Sequence, residues 1–172
     1  PVSLKTLLDA EEGLVIDGAY PRDYAGFSLA GAGDINGDGF DDILVGAYGA
    51  SANAQPDAGR AYLVYGRPTS EVVPLSQLAN PSDAEINNGF VILGQTAGGY
   101  AGFSVDMAGD FNGDGFDDML VGAHLDHPIG ETSGRGYIIH GGNFTHSVTS
   151  LGSENADILL GTAGGGTVVG GL

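Results

Sequence analysis

Cysteine is absent from this chain, which excludes disulfides, thiolate zinc sites and a cysteine nucleophile. Basic residues are scarce: five Lys and Arg stand against 22 Asp and Glu, a formal net charge of −17. Such a chain repels a phosphate backbone and has no basic stripe to offset that, so nucleic acid is not an expected partner. The acidic excess suits a cation-binding or heavily solvated surface, and a halophilic or marine habitat would account for part of it. No apolar run approaches the roughly 18 to 20 residues of a membrane span. The first residue is Pro1 rather than Met, which points to a processed or excised segment.

What is present is enough for a packed core. Hydrophobic residues make up 42% of 172, the size of one ordinary domain or two small ones. Glycine, at 32 residues, is well above the usual roughly 7%, and its placement is periodic. Residues 13 to 48, "GLVIDGAYPRDYAGFSLAGAGDINGDGFDDILVGAY", align without a gap on residues 89 to 124, "GFVILGQTAGGYAGFSVDMAGDFNGDGFDDMLVGAH", with 23 identities in 36 positions. The match resumes after a loop, "GRAYLVYG" (59 to 66) against "GRGYIIHG" (134 to 141). The chain is therefore a tandem repeat.

Within each unit, short runs rich in Val, Ile, Leu, Tyr and Phe alternate with Gly, Asn and Asp clusters, a β pattern. Strands are expected near 14–18, 27–32, 42–47 and 60–65, and again near 90–94, 103–108, 118–123 and 135–140. Four strands per unit predicts an all-β fold of two propeller blades. The first blade with its lead-in takes residues 1–66, and the second takes 89–141. Between them, 67–88 is an excursion with at most one helical turn, around Leu75 to Leu78, and the lead-in "VSLKTLLDAEE" reads as more helical. Residues 142–172 form a C-terminal segment.

The nonamers "DINGDGFDD" (34 to 42) and "DFNGDGFDD" (110 to 118) carry the chemistry. Oxygen-bearing residues fall at positions 1, 3, 5 and 9 with Gly at 6, the spacing of a loop that wraps a hard cation with alternate side chains and one backbone carbonyl. The candidate ligands are Asp34, Asn36, Asp38, the carbonyl of Phe40, and Asp42; the second set is Asp110, Asn112, Asp114, the carbonyl of Phe116, and Asp118. Gly39 and Gly115 are expected at φ values that a Cβ penalises, and Asp41 and Asp117, at position 8, are expected to point away. Asn-Gly and Asp-Gly form hairpins without any metal, but a turn alone needs none of the carboxylates, which repel one another unless a cation sits among them. An EF-hand is excluded, because position 12 is Val45 or Val121 inside an apolar run and no helix follows. The nonamers differ only at position 2, Ile35 against Phe111. On simple strand alternation Asp106 would share a side with Asp110 and tighten the second site.

Each unit reads "YAGFS(L/V)…AGD.NGDGFDD.LVGA(Y/H)", which resembles the FG-GAP repeat of integrin α-subunit β-propellers and related bacterial secreted proteins. The resemblance implies two four-stranded blades of a partial propeller, each with a calcium ion in the hairpin between its first and second strands, hence two Ca²⁺ sites. It also implies a secreted or cell-surface setting and a binding or adhesion role toward a protein or glycan ligand. Tyr48 and His124 depart from it where the family often has Pro. Propellers close with about four to eight blades, so further blades of the same chain, or copies giving six or eight blades, would have to complete the ring. The tail adds a second likeness: "GSENADILL" (152 to 160) and "GTAGGGTVV" (161 to 169) are similar to RTX, or haemolysin-type, nonapeptides, although Gly166 replaces the aspartate that Asp157 keeps. The alternative pairs "TAGG" at 162 to 165 with "TAGG" at 96 to 99 as the opening of a third blade. The nonapeptide reading is preferred because period nine fits twice.

No catalytic constellation is legible. Ser28 and Ser104 lie in "GFSLAG" and "GFSVDM", which are not a nucleophile elbow. His124, Asp126 and His127 could be imagined as a small metal site, yet the equivalent loop of the first unit has Tyr48, Gly49 and Ala50, and His140 replaces Tyr65 in a strand. "GTAGGGTVVGG" lacks the Lys of a phosphate loop. "NFT" at Asn143 matches a glycosylation sequon by pattern alone. The expectation is a non-enzyme, with the rival that these blades are the non-catalytic part of a larger secreted hydrolase or lipase, or a ligand-free spacer.

Overall fold

The computed structural model describes residues 3–4, 13–68, 71–79, 88–127 and 133–142. The β-branched and aliphatic runs flanked by Gly and Asp form strands as their pattern requires. In chain order these are β1 (Ile16–Asp17), β2 (Ser28–Gly33), β3 (Asp42–Ala47), β4 (Arg60–Val64), β5 (Val73–Pro74), the single-turn helix α1 (Leu75–Leu78), β6 (Gly89–Leu93), β7 (Ala101–Gly109), β8 (Asp118–Ala123) and β9 (Arg135–Ile139). The expected lead-in helix falls on residues 2–12, of which only Ser3 and Leu4 are among the described residues, and the RTX-like nonapeptides, 152–169, lie outside them.

Two antiparallel sheets form the body. The first runs β2-β3-β4-β6 and the second β7-β8-β9. Each nonamer closes the turn between the first two strands of its sheet, linking β2 to β3 and β7 to β8. One grouping drawn from the repeat is corrected. Gly89–Leu93, which the alignment places at the head of the second unit, pairs with β4 and completes the first sheet, Tyr62 opposite Val91 and Leu63 opposite Phe90. Its counterpart in the first unit shrinks to β1, which pairs in parallel with β5, a short strand in the 67–88 excursion where none was expected. The reason is edge satisfaction: β4 would otherwise carry an unpaired row of N–H and C=O groups, and the next apolar run after the excursion is β6.

Strand alternation sends side chains to two cores. Leu44, Leu63, Ala61, Ala32 and Phe90 from the first sheet meet Met119, Val121 and Ile139 from the second, and this cluster bonds the sheets face to face. On the other side of the first sheet, Val45, Tyr62 and Val64 are covered by Val73, Leu75 and Leu78 of the excursion. The excursion is thus a lid on the outer strands. The inner strands, β2 and β7, approach so closely that Ser28 Oγ donates to the Gly102 carbonyl at 2.9 Å.

Candidate metal loops and their surroundings

Both nonamers adopt the same hydrogen-bonded scaffold, set by the aspartate that opens each loop. Asp34 Oδ1 accepts from Gly37 and Asp38 N–H at 2.8 and 3.0 Å, and its Oδ2 accepts from Gly39 N–H at 2.9 Å. Asp110 repeats this with Gly113, Asp114 and Gly115 at 2.7, 3.0 and 3.0 Å. Asn36 and Asn112 each accept from the N–H two residues on, at 2.8 Å, an Asx turn. Gly39 and Gly115, at φ 91° and 94°, turn the chain where an L side chain would be strained.

The ninth residue closes the loop from inside the fold. Asp42 is 1% exposed and accepts from Ile35 N–H at 3.0 Å and Gly66 N–H at 2.8 Å. Asp118, 0% exposed, accepts from Phe111 N–H at 2.9 Å and Gly141 N–H at 2.8 Å. Burial pushes the Asp42 carboxyl up to about 6, the two N–H donors lower it, and the nearby charges of Asp38 and Asp34 raise it further. Burial is the larger cause, and the neighbouring carboxylates add to it. His140 Nδ1 lies 3.2 Å from Asp118 Oδ2, where the first repeat has Tyr65.

A divalent cation fits the donor set in kind: every candidate donor is an oxygen, hard and abundant, which suits Ca²⁺. Each carboxylate that accepts backbone N–H groups still has free lone pairs. The side chains are not, however, already gathered. Among the described residues no group of three or more Asp, Glu, His or Cys side chains is drawn together as a metal cluster. Asp38 and Asp114 face sideways, taking the amide of Asn36 or Asn112 at 2.9 and 2.8 Å and the N–H of Phe40 or Phe116 at 2.9 and 3.0 Å. These bonds hold the exposed Asp114 carboxyl below the usual range. Swinging in the fifth-position aspartate is the rearrangement a cation would require.

Three features escaped sequence reasoning. Asp117 does point away from its own loop, but it crosses to the first one: its Oδ2 accepts from Asp34 N–H at 3.3 Å. Nothing local in the sequence signals a contact between repeats. Asp126 is 3% exposed and joins Thr96 Oγ1 at 2.6 Å, Tyr137 Oη at 2.7 Å and the Arg135 guanidinium at 3.4 Å. Its place beside His127, whose ring meets the Leu125 carbonyl at 2.8 Å, is structural. Finally, the repeated "YAGF" and "GAY/GAH" segments bring Tyr24, Phe27, Tyr48, Tyr100, Phe103 and His124 into one aromatic row. Tyr24 stacks on Tyr48 at 5.2 Å, Phe27 lies 5.2 Å from Phe103, and Phe103 lies 4.2 Å from His124. The row borders the ends of β3 and β8 and the starts of β2 and β7, opposite the nonamers.

Two acidic hairpins at one end of paired antiparallel sheets, each preceded by Tyr-Ala-Gly-Phe-Ser, set the ground for comparison with known proteins. The FG-GAP repeat family matches the chain twice, over residues 25–64 and 101–139. Integrin alpha-PS2 of Drosophila melanogaster is 37% identical over 131 residues, 73% of this chain and 8% of that protein. Phosphatidylinositol-glycan-specific phospholipase D of Bos taurus is 33% identical over 105 residues, 61% of this chain and 12% of that enzyme. Integrin alpha pat-2 of Caenorhabditis briggsae is 37% identical over 98 residues, 57% and 7% respectively. The chain thus spans about a tenth of the length of these relatives. The FG-GAP matches cover β2–β4 and β7–β9, one in each sheet, and β6 lies between them.

Proposed function

We propose that this chain is a calcium-stabilised β-propeller segment of a secreted or cell-surface protein, acting as a binding or adhesion scaffold rather than a catalyst. The observation that carries the reading is the duplicated loop: two nonamers, in two sheets, with the same aspartate-centred hydrogen bonds and the same all-oxygen donor set. Each ion would be held by the aspartates at positions 1, 5 and 9, the asparagine at 3 and the carbonyl at 7, at about 2.3 to 2.6 Å. It would neutralise charge at the strand turn and fix the hairpin; the protein's own part is to pin that turn through Asp34, Asp42, Asp110 and Asp118. The aromatic row at the opposite end, with Tyr24 and Phe27 each 57% exposed, is the surface offered to a protein or glycan ligand, since exposed aromatic patches favour recognition.

Likeness to two integrin alpha proteins favours the extracellular scaffold. Likeness to a phospholipase D favours a second reading, in which the same segment is the non-catalytic part of a larger enzyme. Both share the calcium loops. Titration calorimetry tests them: the protein takes up close to two Ca²⁺ and prefers Ca²⁺ to Mg²⁺, and Asp38→Ala with Asp114→Ala abolishes uptake. Calcium binding only to the folded state adds about 2.7 kcal/mol per site when free calcium is about a hundredfold above Kd. Chelator should therefore lower the Tm of the native protein and leave the double variant unchanged; identical melting curves with and without chelator would count against the reading.

A further inference from the structure

Asn-Gly occurs three times in the chain, at Asn36-Gly37, Asn88-Gly89 and Asn112-Gly113. This dipeptide is prone to spontaneous deamidation, because glycine has no side chain to keep its nitrogen from the preceding side-chain amide. The reaction requires that nitrogen to reach the Asn Cγ. The fold sets the same dipeptide in two different surroundings.

Asn88 and Gly89 belong to the body of the first sheet. Gly89 opens β6 opposite Val64, buried, with the backbone of Leu63 and Val64 where a Cβ would stand. The Asn88 carbonyl accepts from Tyr65 N–H at 2.9 Å, and its Oδ1 accepts from Arg67 Nη1 at 2.8 Å. Freeing this pair means parting β6 from β4. Asn36 and Asn112 sit instead in the turns between strands, where the opening aspartate holds the attacking nitrogen and the fifth residue holds the amide. Gly37 N–H donates to Asp34 Oδ1 at 2.8 Å, and Gly113 N–H to Asp110 Oδ1 at 2.7 Å. Asn36 Oδ1 accepts from Asp38 N–H while its Nδ2 donates to Asp38 Oδ2, and Asn112 does the same with Asp114. Nucleophile and amide are neighbours, each turned to a different partner. These bonds can open without separating a strand, and local opening of that kind costs less than the sub-global opening Asn88 needs.

We propose that Asn36 and Asn112 are sites of spontaneous deamidation, held latent by Asp34 and Asp110, and that Asn88 is not. When the loop bonds open, the Gly37 N–H gives its proton to solvent hydroxide and the nitrogen bonds to Asn36 Cγ. The side-chain nitrogen takes a proton from water and leaves as ammonia, which closes a cyclic imide. Water then opens the imide at either carbonyl to leave aspartate or isoaspartate, so the whole change consumes one water and releases one ammonia with no redox step. Asn112 follows the same course with Gly113. Either product adds a negative charge between the aspartates at positions 1 and 5. Isoaspartate also lengthens the main chain by a carbon, which spoils the spacing by which Asp34 gathers the N–H groups of Gly37, Asp38 and Gly39. The inference stands on these hydrogen bonds and needs no cation in the loops.

Peptide mapping by mass spectrometry tests it on the intact chain, incubated folded and in denaturant, with all three sites followed in each sample. In denaturant the three should react at comparable rates. In the folded chain Asn36 and Asn112 should react more slowly than in denaturant but well ahead of Asn88. Asp34→Ala should speed the loss of Asn36 by at least about fivefold, the worth of one hydrogen bond, and leave Asn112 unchanged; Asp110→Ala should do the reverse. Asp34→Asn, which keeps an oxygen acceptor, should stay near the native rate. Asn36 and Asn112 as inert as Asn88 in the folded chain would overturn the proposal. So would an Asp34→Ala chain with no gain at Asn36, or one in which Asn88 and Asn112 accelerate equally, since Asp34 would then serve the fold at large and not a local lock.

Discussion

Asp126 and Asp23 show how the two repeats solve one local problem with different residues. Each repeat carries an Arg-x-Tyr on its third strand, Arg60 with Tyr62 and Arg135 with Tyr137, and the guanidinium meets the tyrosine hydroxyl at 3.3 Å in both. In the second repeat the counter-charge is Asp126; at the matching position the first has buried Ala50, and Asp23, from the preceding loop, supplies the charge felt by Arg60. Burial alone would raise the Asp126 carboxyl, but the hydroxyls of Thr96 and Tyr137, the Arg135 charge and the His127 N–H outweigh it and hold it below the usual value. A depressed folded value stabilises the protein above the unfolded value of roughly 3.9 and loses that contribution as pH falls through the folded one. Asp126→Asn should cost about 1 to 3 kcal/mol at pH 7, and the gap between variant and native protein should narrow as pH drops from 5 toward 2. A gap that stays constant over that range would show that the charge is not what matters. This residue was weighed from sequence as a metal ligand beside His124 and His127, since the spacing "HLDH" carries no sign of a partner strand.

At the scale of elements, the strands were legible because each short apolar run is bounded by Gly, Asp or Asn, and β2, β3, β4, β7, β8 and β9 lie where alternation put them. Their grouping was less so, because the β4–β6 pairing spans the 67–88 excursion and depends on which edge needs a partner. Alternation also failed at one point that mattered. Both sheets carry a bulge just before the nonamer, between Gly31 and Gly33 and between Met107 and Gly109. An extra residue reverses the side of everything beyond it, so Asp106 and Asp110 do not share a side. Asp106 instead turns to its neighbour, accepting from Met107 N–H at 2.9 Å, and the argument for a tighter second site falls with that geometry. Close backbone approach between β2, β3 and β7 is the other element-level feature hidden from sequence. Gly102, at φ 79°, has no room for a Cβ beside the Arg60 carbonyl. Gly102→Ala combines left-handed strain of about 1 to 2 kcal/mol with that clash, and should cost at least about 2 kcal/mol in denaturant unfolding; a loss under about 0.5 kcal/mol would mean the sheets can part without penalty.

For the whole molecule, the charge distribution and the core pull in opposite senses. The core joins two sheets through Leu44, Leu63, Met119 and Val121, while a net charge of −17 repels itself, and two of the densest acidic segments sit in loops that share one wall. A cation in each loop would resolve that conflict, which makes calcium, as proposed, a part of the fold. The candidate ligand set can be read from spacing alone; the sideways set of Asp38 and Asp114 cannot, because it depends on the amide and N–H groups that each meets. The most direct measurement is an experimental structure determined in millimolar calcium. The account predicts one ion in each nonamer, with Asp38 and Asp114 swung inward and oxygen contacts of about 2.3 to 2.6 Å. Both loops empty, with Asp38 and Asp114 still bonded to Asn36 and Asn112, would contradict it.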